Sequence, residues 1–144
     1  MYPEIMLVPM REELTRLGVE ELRTASDVDQ LLSKKQGTVM VVVNSVCGCA
    51  AGRMRPGVRL ALEHTIVPDK SVSVFAGQDR DATEQARRYF EGYPPSSPSI
   101  GLFRDGNLVY FMQRSDIESR DAEDIAGDLT AAFDKFCAKT AATN

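Results

Sequence analysis

Two cysteines separated by one glycine, Cys47 and Cys49, have the residue types and the spacing for thiol chemistry. They follow an apolar run over residues 39–43, whose valines predict a fully buried strand, and a helix is predicted to begin beside them. The first turn of a helix offers unpaired N–H groups and the positive end of the helix dipole, and both stabilise a thiolate over a thiol. The pattern therefore predicts a redox-active dithiol site.

Thiol–disulfide exchange through this pair requires an exposed thiolate that attacks and a second sulfur close enough to expel the mixed disulfide. Gly48 lacks a Cβ atom, so it can take the dihedral angles that ring closure demands and lets a substrate backbone approach. Disulfides prefer a torsion of roughly ±85–100°, so a ring this small is strained when closed. We expect an easily reduced Cys47–Cys49 disulfide, which suits isomerisation or removal of a thiol cap better than reduction of stable disulfides.

Polar side chains adjoin the cysteine pair on both sides. Asn44 and Ser45 can orient Cys47 or a water molecule by hydrogen bonding, or they can simply end the strand and cap the helix. Arg53 and Arg55 follow one or two turns into the predicted helix. There they can lower the thiol pKa or hold an anionic thiol substrate, or they can extend into solvent as surface residues. The residue types leave both roles open in each case.

The third cysteine and the single histidine lie far from the pair in sequence. Cys137 adjoins the aromatic residues of the last predicted helix, which favours packing over a redox role. His64 ends the helix after the cysteines, where a cation stabilises the helix dipole. A metal-binding module is an alternative, with thiolates from Cys47 and Cys49 plus His64 or Cys137, which together are the four cysteine and histidine residues of the sequence. Structural zinc, however, usually takes four ligands from closely spaced cysteine pairs, so no metal is expected. An inert dimeric scaffold is a further alternative.

Alternating helix and strand signals surround the dithiol segment. The first half predicts a helix from Pro9 to Gly18, a strand over residues 19–22 and a helix capped by Ser26. After the buried strand it predicts a helix over residues 50–64, which Pro56 should kink. The second half predicts a strand over residues 71–76, a helix capped by Asp81 and ended by Gly92, hairpin strands over 100–103 and 108–112 joined at Asp105-Gly106, and a helix from Asp121. The small polar tail from Ala138 is expected to fray.

This order of elements predicts an α/β fold. Strands separated by helices pair in parallel through right-handed crossovers, whereas the late hairpin adds an antiparallel edge. The expected result is a central mixed sheet with helices on both faces. No repeat, low-complexity block or linker interrupts the sequence, so residues 1–144 are predicted to form a single domain.

Composition and charge limit the function classes. The chain has 144 residues, 43% of them hydrophobic, which suffices for one core without disulfide staples. A formal net charge of −4 gives no basic surface, so neither nucleic acid nor a membrane is an expected partner. The N-terminus has no basic region and carries acids early, unlike a secretory signal, so the expected location is cytoplasmic. In that reducing compartment a close cysteine pair is more often catalytic or metal-binding than structural.

Four sequence strings carry a resemblance to a known family. They are V-N-S-V-C-G-C-A-A-G around the cysteines, F-A-G-Q-D after the strand over 71–76, P-S-S-P-S before the hairpin, and A-A-F-D-K-F-C in the last helix. Together with the order of elements they resemble the bacilliredoxins of bacteria, which are thioredoxin-like proteins with a Cys-Gly-Cys motif. The resemblance covers nearly the whole chain. It implies a thioredoxin-like three-layer α/β/α fold with a central mixed sheet and a C-terminal β-hairpin plus helix.

The resemblance also implies roles for individual residues. Cys47 would be the nucleophile that attacks mixed disulfides between protein thiols and bacillithiol, a low-molecular-weight thiol. Cys49 would be the neighbouring thiol that resolves the adduct. Pro98 matches the cis-proline beside thioredoxin-like sites, and the backbone at Ser97 would pair with an extended substrate segment that passes Gly48.

The partners that the resemblance implies are thiol-modified cytosolic proteins and the low-molecular-weight thiol, with bacillithiol as a co-substrate and no bound cofactor. Protein disulfide isomerisation is the near alternative activity. The chain is expected to be a monomer or a weak homodimer. It departs from the broader thioredoxin pattern at one point, because the strand over residues 39–43 has no acidic residue for proton transfer. The resemblance therefore leaves the proton relay undefined.

Overall fold

The apolar run before the cysteines forms the central strand of a mixed five-stranded sheet. The computed structural model describes residues 2–138. The strands are β1 Glu20–Glu21, β2 Thr38–Asn44, β3 Lys70–Phe75, β4 Ser99–Arg104 and β5 Asn107–Met112, in the spatial order β1-β3-β2-β4-β5. The helices are α1 Glu4–Thr15, α2 Ala25–Leu32, α3 Arg55–Ala61, α4 Arg80–Tyr89, α5 Arg114–Glu118 and α6 Ala122–Phe136, with a π-helical segment, Ala50–Met54, directly before α3. Within residues 2–138, no helix has the length and apolar character needed to cross a membrane. Residues 139–144, most of the tail expected to fray, lie outside the described part.

Strand β2 owes its central position to its apolar sequence, since all seven of its residues are buried. It pairs in parallel with β3 and antiparallel with β4, so that Val41 lies opposite both Val72 and Gly101. Its side chains alternate between two cores. Met40 and Val42 belong to the core formed with α3 and α6, whereas the other three apolar residues belong to the core formed with α2 and α4. The three-layer α/β/α arrangement with a mixed sheet confirms the predicted fold class.

The predicted hairpin is present and sets the direction of the last strand. Asp105 and Gly106 both have positive φ angles, 50° and 85°, as a tight turn between two strands requires. Strand β4 is antiparallel to both β2 and β5. Because of this, β5 runs in the same direction as β2, and the residues that follow β5 lie at the edge of the sheet where β2 ends.

Three helix starts differ from the predicted ones. Helix α1 begins at Glu4 and holds Pro9 in its interior, where the proline removes only the bond to the carbonyl of Ile5, a residue that faces solvent. Helix α2 is capped by Thr24 rather than Ser26, and the Thr24 hydroxyl accepts the N–H of Asp27 at 3.0 Å. In each case tertiary contacts or an earlier cap extended the helix beyond the predicted start.

Helix α4 likewise starts earlier, with Asp79 rather than Asp81 at the N-cap position. The Asp79 carboxylate makes no capping bond, because it lies 2.7 Å from Nη1 of the buried Arg11. This ion pair links α1 to the segment after β3. The end of a helix is therefore fixed here by a partner distant in sequence, which a local capping pattern does not include.

The helix after the cysteines is divided in a way that the sequence did not predict. Residues Ala50–Met54 form a π-helical segment, and Pro56 is the second residue of the α-helix that follows. A π-helical turn is wider than an α-helical one and leaves room for a proline ring without an N–H donor. Helix α3 ends at Ala61, before His64, and α5 was not predicted at all. The predicted helix over residues 50–64 is therefore correct in place but wrong in its end and in the form of its first turns.

Candidate redox site

Cys47 and Cys49 lie where the loop after β2 enters the helical segment that leads into α3. The carbonyl of Cys47 accepts the N–H groups of Ala50 and Ala51 at 3.1 and 3.2 Å, which marks the first helical turn. Both thiols are free and half-buried. Apart from its two chain neighbours and the backbone of its own helical turn, no heavy atom of the described residues lies within 4 Å of the position that a Cβ atom on Gly48 would take. The space over this glycine leaves the pair open to a substrate.

The surroundings of Cys47 favour its thiolate. Burial raises the pKa of the Cys47 thiol, but three hydrogen bonds and one positive charge together lower it by more. The hydrogen bonds come from the Ser45 hydroxyl and from the backbone N–H groups of Ala50 and Cys49, and the charge is that of Arg114. The pKa of Cys47 therefore lies below the ordinary value of a thiol. The N–H of Cys47 also donates to the Ser45 hydroxyl oxygen at 3.3 Å, which holds that hydroxyl next to Cys47.

Asn44, the other predicted polar neighbour, acts on the loop. It is buried, and its Oδ1 accepts from the N–H of Ser45 and from Nη1 of Arg55, both at 2.9 Å. Its amide nitrogen donates to the carbonyl of Met10 at 3.3 Å. These bonds tie the end of β2 to α1 and α3. Asn44 therefore supports Cys47 by holding the loop in place.

Arg55 provides a buried guanidinium under the same loop. Its side chain is 2% exposed, and its Nη1 donates to the carbonyl of Ser45 at 2.8 Å as well as to Asn44. Its Nε lies 3.2 Å from a carboxylate oxygen of Glu13 on α1. A buried charge is costly unless it is paired and hydrogen-bonded. The two hydrogen bonds of Nη1 and the nearby charge of Glu13 offset this cost, although Nε makes no hydrogen bond within the described residues. The structure therefore gives Arg55 a third role that the sequence did not suggest. It is the buried residue that holds the cysteine loop, residues 44–47, in place, and we call it the clamp of this loop.

Arg53, predicted to support the thiols, points elsewhere. Its Nη1 donates to the carbonyl oxygen of Arg120 at 2.6 Å, so it ties the π-helical segment to the connection between α5 and α6. The cation beside the thiols is Arg114, the first residue of α5, whose Nη2 lies 3.9 Å from Sγ of Cys49. Sequence reasoning missed Arg114 because it is distant from the cysteines in the chain. The predicted topology contained a usable signal, since residues after β5 reach the edge of the sheet where β2 ends.

The proline-rich segment before β4 lies beside the cysteine loop. The Ser97–Pro98 peptide bond is cis, as the resemblance implied. The next residue, Ser99, pairs with Val43 near the end of β2, so Ser97 and Pro98 lie at the edge of the sheet where the cysteines lie. The carbonyl of Ser97 accepts from Nη1 of Arg114 at 3.1 Å. The fold therefore brings the two cysteines and Arg114 together with Ser97 and Pro98, which we call the cis-proline loop.

Cys137 lies at the opposite end of β2. It is the C-cap of α6, and its thiol interacts with Thr38, the first residue of β2. Strand β2 separates the two ends by roughly 20 Å at about 3.3 Å per residue. Burial raises the pKa of the Cys137 thiol, and the negative charge of Asp69 adds to this, while the Thr38 hydrogen bond and Arg104 offset only part. Cys137 packs against the core, in agreement with the predicted packing role.

His64 lies beyond the end of α3 rather than at a helix terminus. Its Nε2 is 2.8 Å from a carboxylate oxygen of Asp134 on α6, so its role is to pair with that helix. Within residues 2–138, no group of three or more His, Cys, Asp or Glu residues is arranged to hold a metal ion. The four-ligand set considered from the sequence does not form there.

Solved thioredoxin structures share this architecture. Mitochondrial thioredoxin 3 of Saccharomyces cerevisiae matches with a TM-score of 0.59, covering 85% of this chain and 98% of that chain at 14% identity. Thioredoxin of Fasciola hepatica matches with a TM-score of 0.55, covering 80% and 99% at 20% identity. At these identities the likeness shows the fold alone, and it confirms the thioredoxin-like fold.

Sequence comparisons define the class and then the family. A family model described as "Disulphide isomerase" matches residues 2–137. With the thioredoxin fold and the paired thiols, this match makes the protein a thiol-disulfide oxidoreductase, as predicted. A bacilliredoxin of Koribacter versatilis (strain Ellin345) is 64% identical over 98% of this chain and 97% of its own length. A bacilliredoxin of Geobacillus kaustophilus (strain HTA426) is 50% identical over 94% of each chain. The chain belongs to the bacilliredoxin family.

Proposed function

We propose that this oxidoreductase removes bacillithiol from proteins to which it is joined by a mixed disulfide, with Cys47 as the nucleophile and Cys49 as the resolving thiol. The observation that carries the proposal is the half-buried Cys47 thiol, which lies beside the exposed Gly48 and has a pKa below that of an ordinary thiol. A thiolate is the attacking species in thiol exchange, so a larger fraction of Cys47 than of an ordinary thiol is in the attacking form at a given pH below the ordinary thiol pKa. The names of the relatives support bacillithiol as the transferred thiol.

The first step transfers the cap. The Cys47 thiolate attacks the bacillithiol sulfur, a bond forms between these two sulfur atoms, and the bond from bacillithiol to the protein cysteine breaks. The protein cysteine leaves as a thiolate and takes a proton from water. No bound cofactor is needed, because bacillithiol itself is the co-substrate.

The second step restores the site. The Cys49 thiolate attacks the sulfur of Cys47, bacillithiol leaves as a thiolate, and a Cys47–Cys49 disulfide forms. Two electrons from an external thiol reductant then return the pair to the dithiol. A ring with one residue between the cysteines is strained, so little reducing power is needed for this return.

The cis-proline loop is the proposed contact for the modified protein. Ser97 and Pro98 lie at the edge of the sheet next to the cysteines, and Gly48 leaves space over the thiols. An extended segment of a thiol-modified cytosolic protein can pair with the backbone at Ser97 while its capped cysteine reaches Cys47. Asn44 and Ser45 hold Cys47 for the attack.

A trapping experiment tests this function. Wild type, Cys47→Ser, Cys49→Ser and, as a matched control, Cys137→Ser are incubated with a model protein that carries a bacillithiol mixed disulfide, and intact masses are recorded. Cys49→Ser should accumulate bacillithiol on Cys47, because the adduct cannot be resolved. Cys47→Ser should accumulate none, and Cys137→Ser should behave as wild type. A cap that stays on the model protein in the presence of wild type would rule out the proposed function.

Disulfide isomerisation is the second candidate, favoured by the description of the matching family and by the strain expected of a Cys47–Cys49 ring. An isomerase must release its substrate after attack. Because the strained disulfide is easily reduced, the Cys47–Cys49 dithiol is a weak reductant, which leaves substrates oxidised but rearranged. Recovery of activity from a protein with scrambled disulfides measures this reaction. If the protein speeds that recovery but leaves bacillithiol caps in place, isomerisation replaces cap removal as the function.

A further inference from the structure

The guanidinium of Arg114 bridges the two parts of the site. Its Nη2 lies 3.9 Å from Sγ of Cys49, and its Nη1 donates to the carbonyl of Ser97 at 3.1 Å. Its Nε donates to a carboxylate oxygen of Glu118, one helical turn further along α5, at 3.1 Å. The group is therefore held on three sides by a thiol, the cis-proline loop and its own helix. A positive charge is fixed at the mouth of the site.

The Arg114 guanidinium has N–H donors that these three contacts do not use. A guanidinium carries five N–H donors, and these contacts use three of them, one on each nitrogen. The side chain is 44% exposed, so the other donors of Nη1 and Nη2 can reach solvent or a ligand. Paired donors on a planar cation match the two oxygens of a carboxylate. Arg114 is thus equipped to bind an anionic group a few bonds away from a sulfur that is joined to Cys47.

The backbone around Arg114 fixes this position. Its own N–H donates to the Ser96 hydroxyl at 3.4 Å, and Gln113 before it forms a capping box with Asp116. The hydrogen bond to Glu118, followed by the negative charges of the Cys47 and Cys49 thiolates, raises the pKa of Arg114. The cation is therefore close enough to both sulfur atoms to interact with their charges. A transferred thiol attached to Cys47 must occupy space next to this group. The charge of the transferred thiol therefore affects how readily the site accepts it on Cys47.

We propose that Arg114 is the specificity-determining residue for the transferred thiol, and that it selects low-molecular-weight thiols that carry carboxylate groups over neutral ones. This inference rests on the proposed function, because it concerns the cap that Cys47 accepts. It differs from a general effect of Arg114 on the reactivity of Cys47. Such an effect would change the rate for every cap alike, whereas carboxylate recognition changes the rate according to the charge of the cap.

A series of caps separates the two effects. One model peptide is prepared with mixed disulfides to 2-mercaptoethanol, 3-mercaptopropionate and mercaptosuccinate, which carry no, one and two carboxylates, and the kcat/KM of cap removal is measured for each. The ratio of wild type to variant at each cap cancels the intrinsic reactivity of that cap. The variants are Arg114→Ala, Arg114→Lys and the control Arg59→Ala. Arg59 is an exposed arginine in an i,i+4 pair with Glu63, ten residues and roughly 15 Å along the helix from Cys49.

We expect Arg114→Ala to slow removal of the mercaptosuccinate cap by on the order of five- to tenfold more than removal of the mercaptoethanol cap. Arg114→Lys should recover part of the preference, because it keeps the charge but not the planar pair of donors. Added salt should weaken the wild-type preference, and Arg59→Ala should retain it. Equal losses for all three caps overturn the inference and leave the proposed function standing. If wild type removes none of the three caps, carboxylate groups are not what the site selects and the inference is overturned, while the bacillithiol trapping experiment decides the proposed function separately.

Discussion

The two ends of strand β2 each carry a half-buried cysteine in opposite chemical surroundings. At the carboxyl end, Cys47 lies at the start of a helix, where N–H groups, a hydroxyl and Arg114 outweigh burial and lower its pKa. At the amino end, Cys137 is the C-cap of α6, and Asp69 adds to the effect of burial, so its pKa is raised. Helix dipoles act in the same sense, since a helix start favours an anion and a helix end disfavours one. Both thiols are half-buried, so burial alone says little about the reactivity of a thiol, which depends on the donors and charges around it.

The largest effect should come from replacing each cysteine in turn. Cys47→Ser should reduce cap removal to the uncatalysed background, because Cys47 is the proposed attacking thiol and Cys49 acts only on the Cys47 adduct, whereas Cys137→Ser should stay within about twofold of wild type. The measurement is the steady-state rate of cap removal, with circular dichroism to show that both variants are folded. A comparable loss of activity in Cys137→Ser would contradict the difference in thiol reactivity that we infer between the two ends of β2.

The next largest effect should come from replacing Arg55, the buried arginine that holds the loop before Cys47. Arg55→Met removes two charge-assisted hydrogen bonds to Asn44 and Ser45. We expect a loss of about 2–4 kcal/mol in the free energy of unfolding, measured by urea denaturation. Arg59→Met, which changes an exposed arginine of the same helix, is the control and should alter stability by less than about 0.5 kcal/mol.

The same Arg55 variant also tests the comparison of the two thiols. Without the clamp the loop around Ser45 is no longer held, so the alkylation of Cys47 by iodoacetamide should require a higher pH. The difference in reactivity between Cys47 and Cys137 should then decrease. If the difference is unchanged in a destabilised variant, the clamp contributes to folding but does not organise the nucleophile.

A smaller effect is expected from the hydroxyl beside Cys47. Ser45→Ala removes a hydrogen bond that lowers the pKa of Cys47, so that pKa should rise toward the ordinary thiol value. Alkylation of Cys47 near pH 7 should slow by roughly three- to tenfold, and the rates of variant and wild type should converge at alkaline pH, where both are thiolates. Ser26→Ala is the matched control, because Ser26 lies on α2, away from the cysteines, and its exposed hydroxyl accepts from the side chain of Gln30. Equal slowing at all pH values would contradict a role through the pKa.

Local signals in the sequence were enough to predict the central strand, the hairpin and the placement of the cysteine pair at a helix start. Valine-rich runs and the Asp105-Gly106 turn define their own structure over a few residues. The missed features depend on contacts between segments far apart in the chain. Arg114 reaches the thiols only because β5 is parallel to β2, and Asp79 binds Arg11 instead of capping α4. Arg53 and Arg55 are two residues apart, but Arg53 is half-buried and bonds to Arg120, whereas Arg55 is buried under the cysteine loop, and no local pattern distinguishes them.

The smallest effect is a difference in how pH changes folding stability. The pKa of Cys47 is lowered on folding, so its ionisation stabilises the fold above the pKa of an unfolded thiol, near pH 8.5, and this contribution is lost as pH falls through the folded pKa. The pKa of Cys137 is raised on folding, so its stabilising contribution is present below the unfolded pKa and is lost as pH rises through the folded one.

Serine variants convert these opposite signs into a measurement. The free energy of unfolding of wild type minus that of Cys47→Ser should increase as pH rises toward about 8.5, and wild type minus Cys137→Ser should decrease above that pH. Other titrating groups cancel in each difference. Each change should be below about 1 kcal/mol, because both thiols are partly exposed and solvent screens their charges. The two stability differences, plotted against pH, should change in opposite directions. Comparing them therefore detects the opposite pKa shifts more sensitively than either plot alone. Curves that bend in the same direction would show that the two ends of β2 do not impose opposite electrostatics on their cysteines.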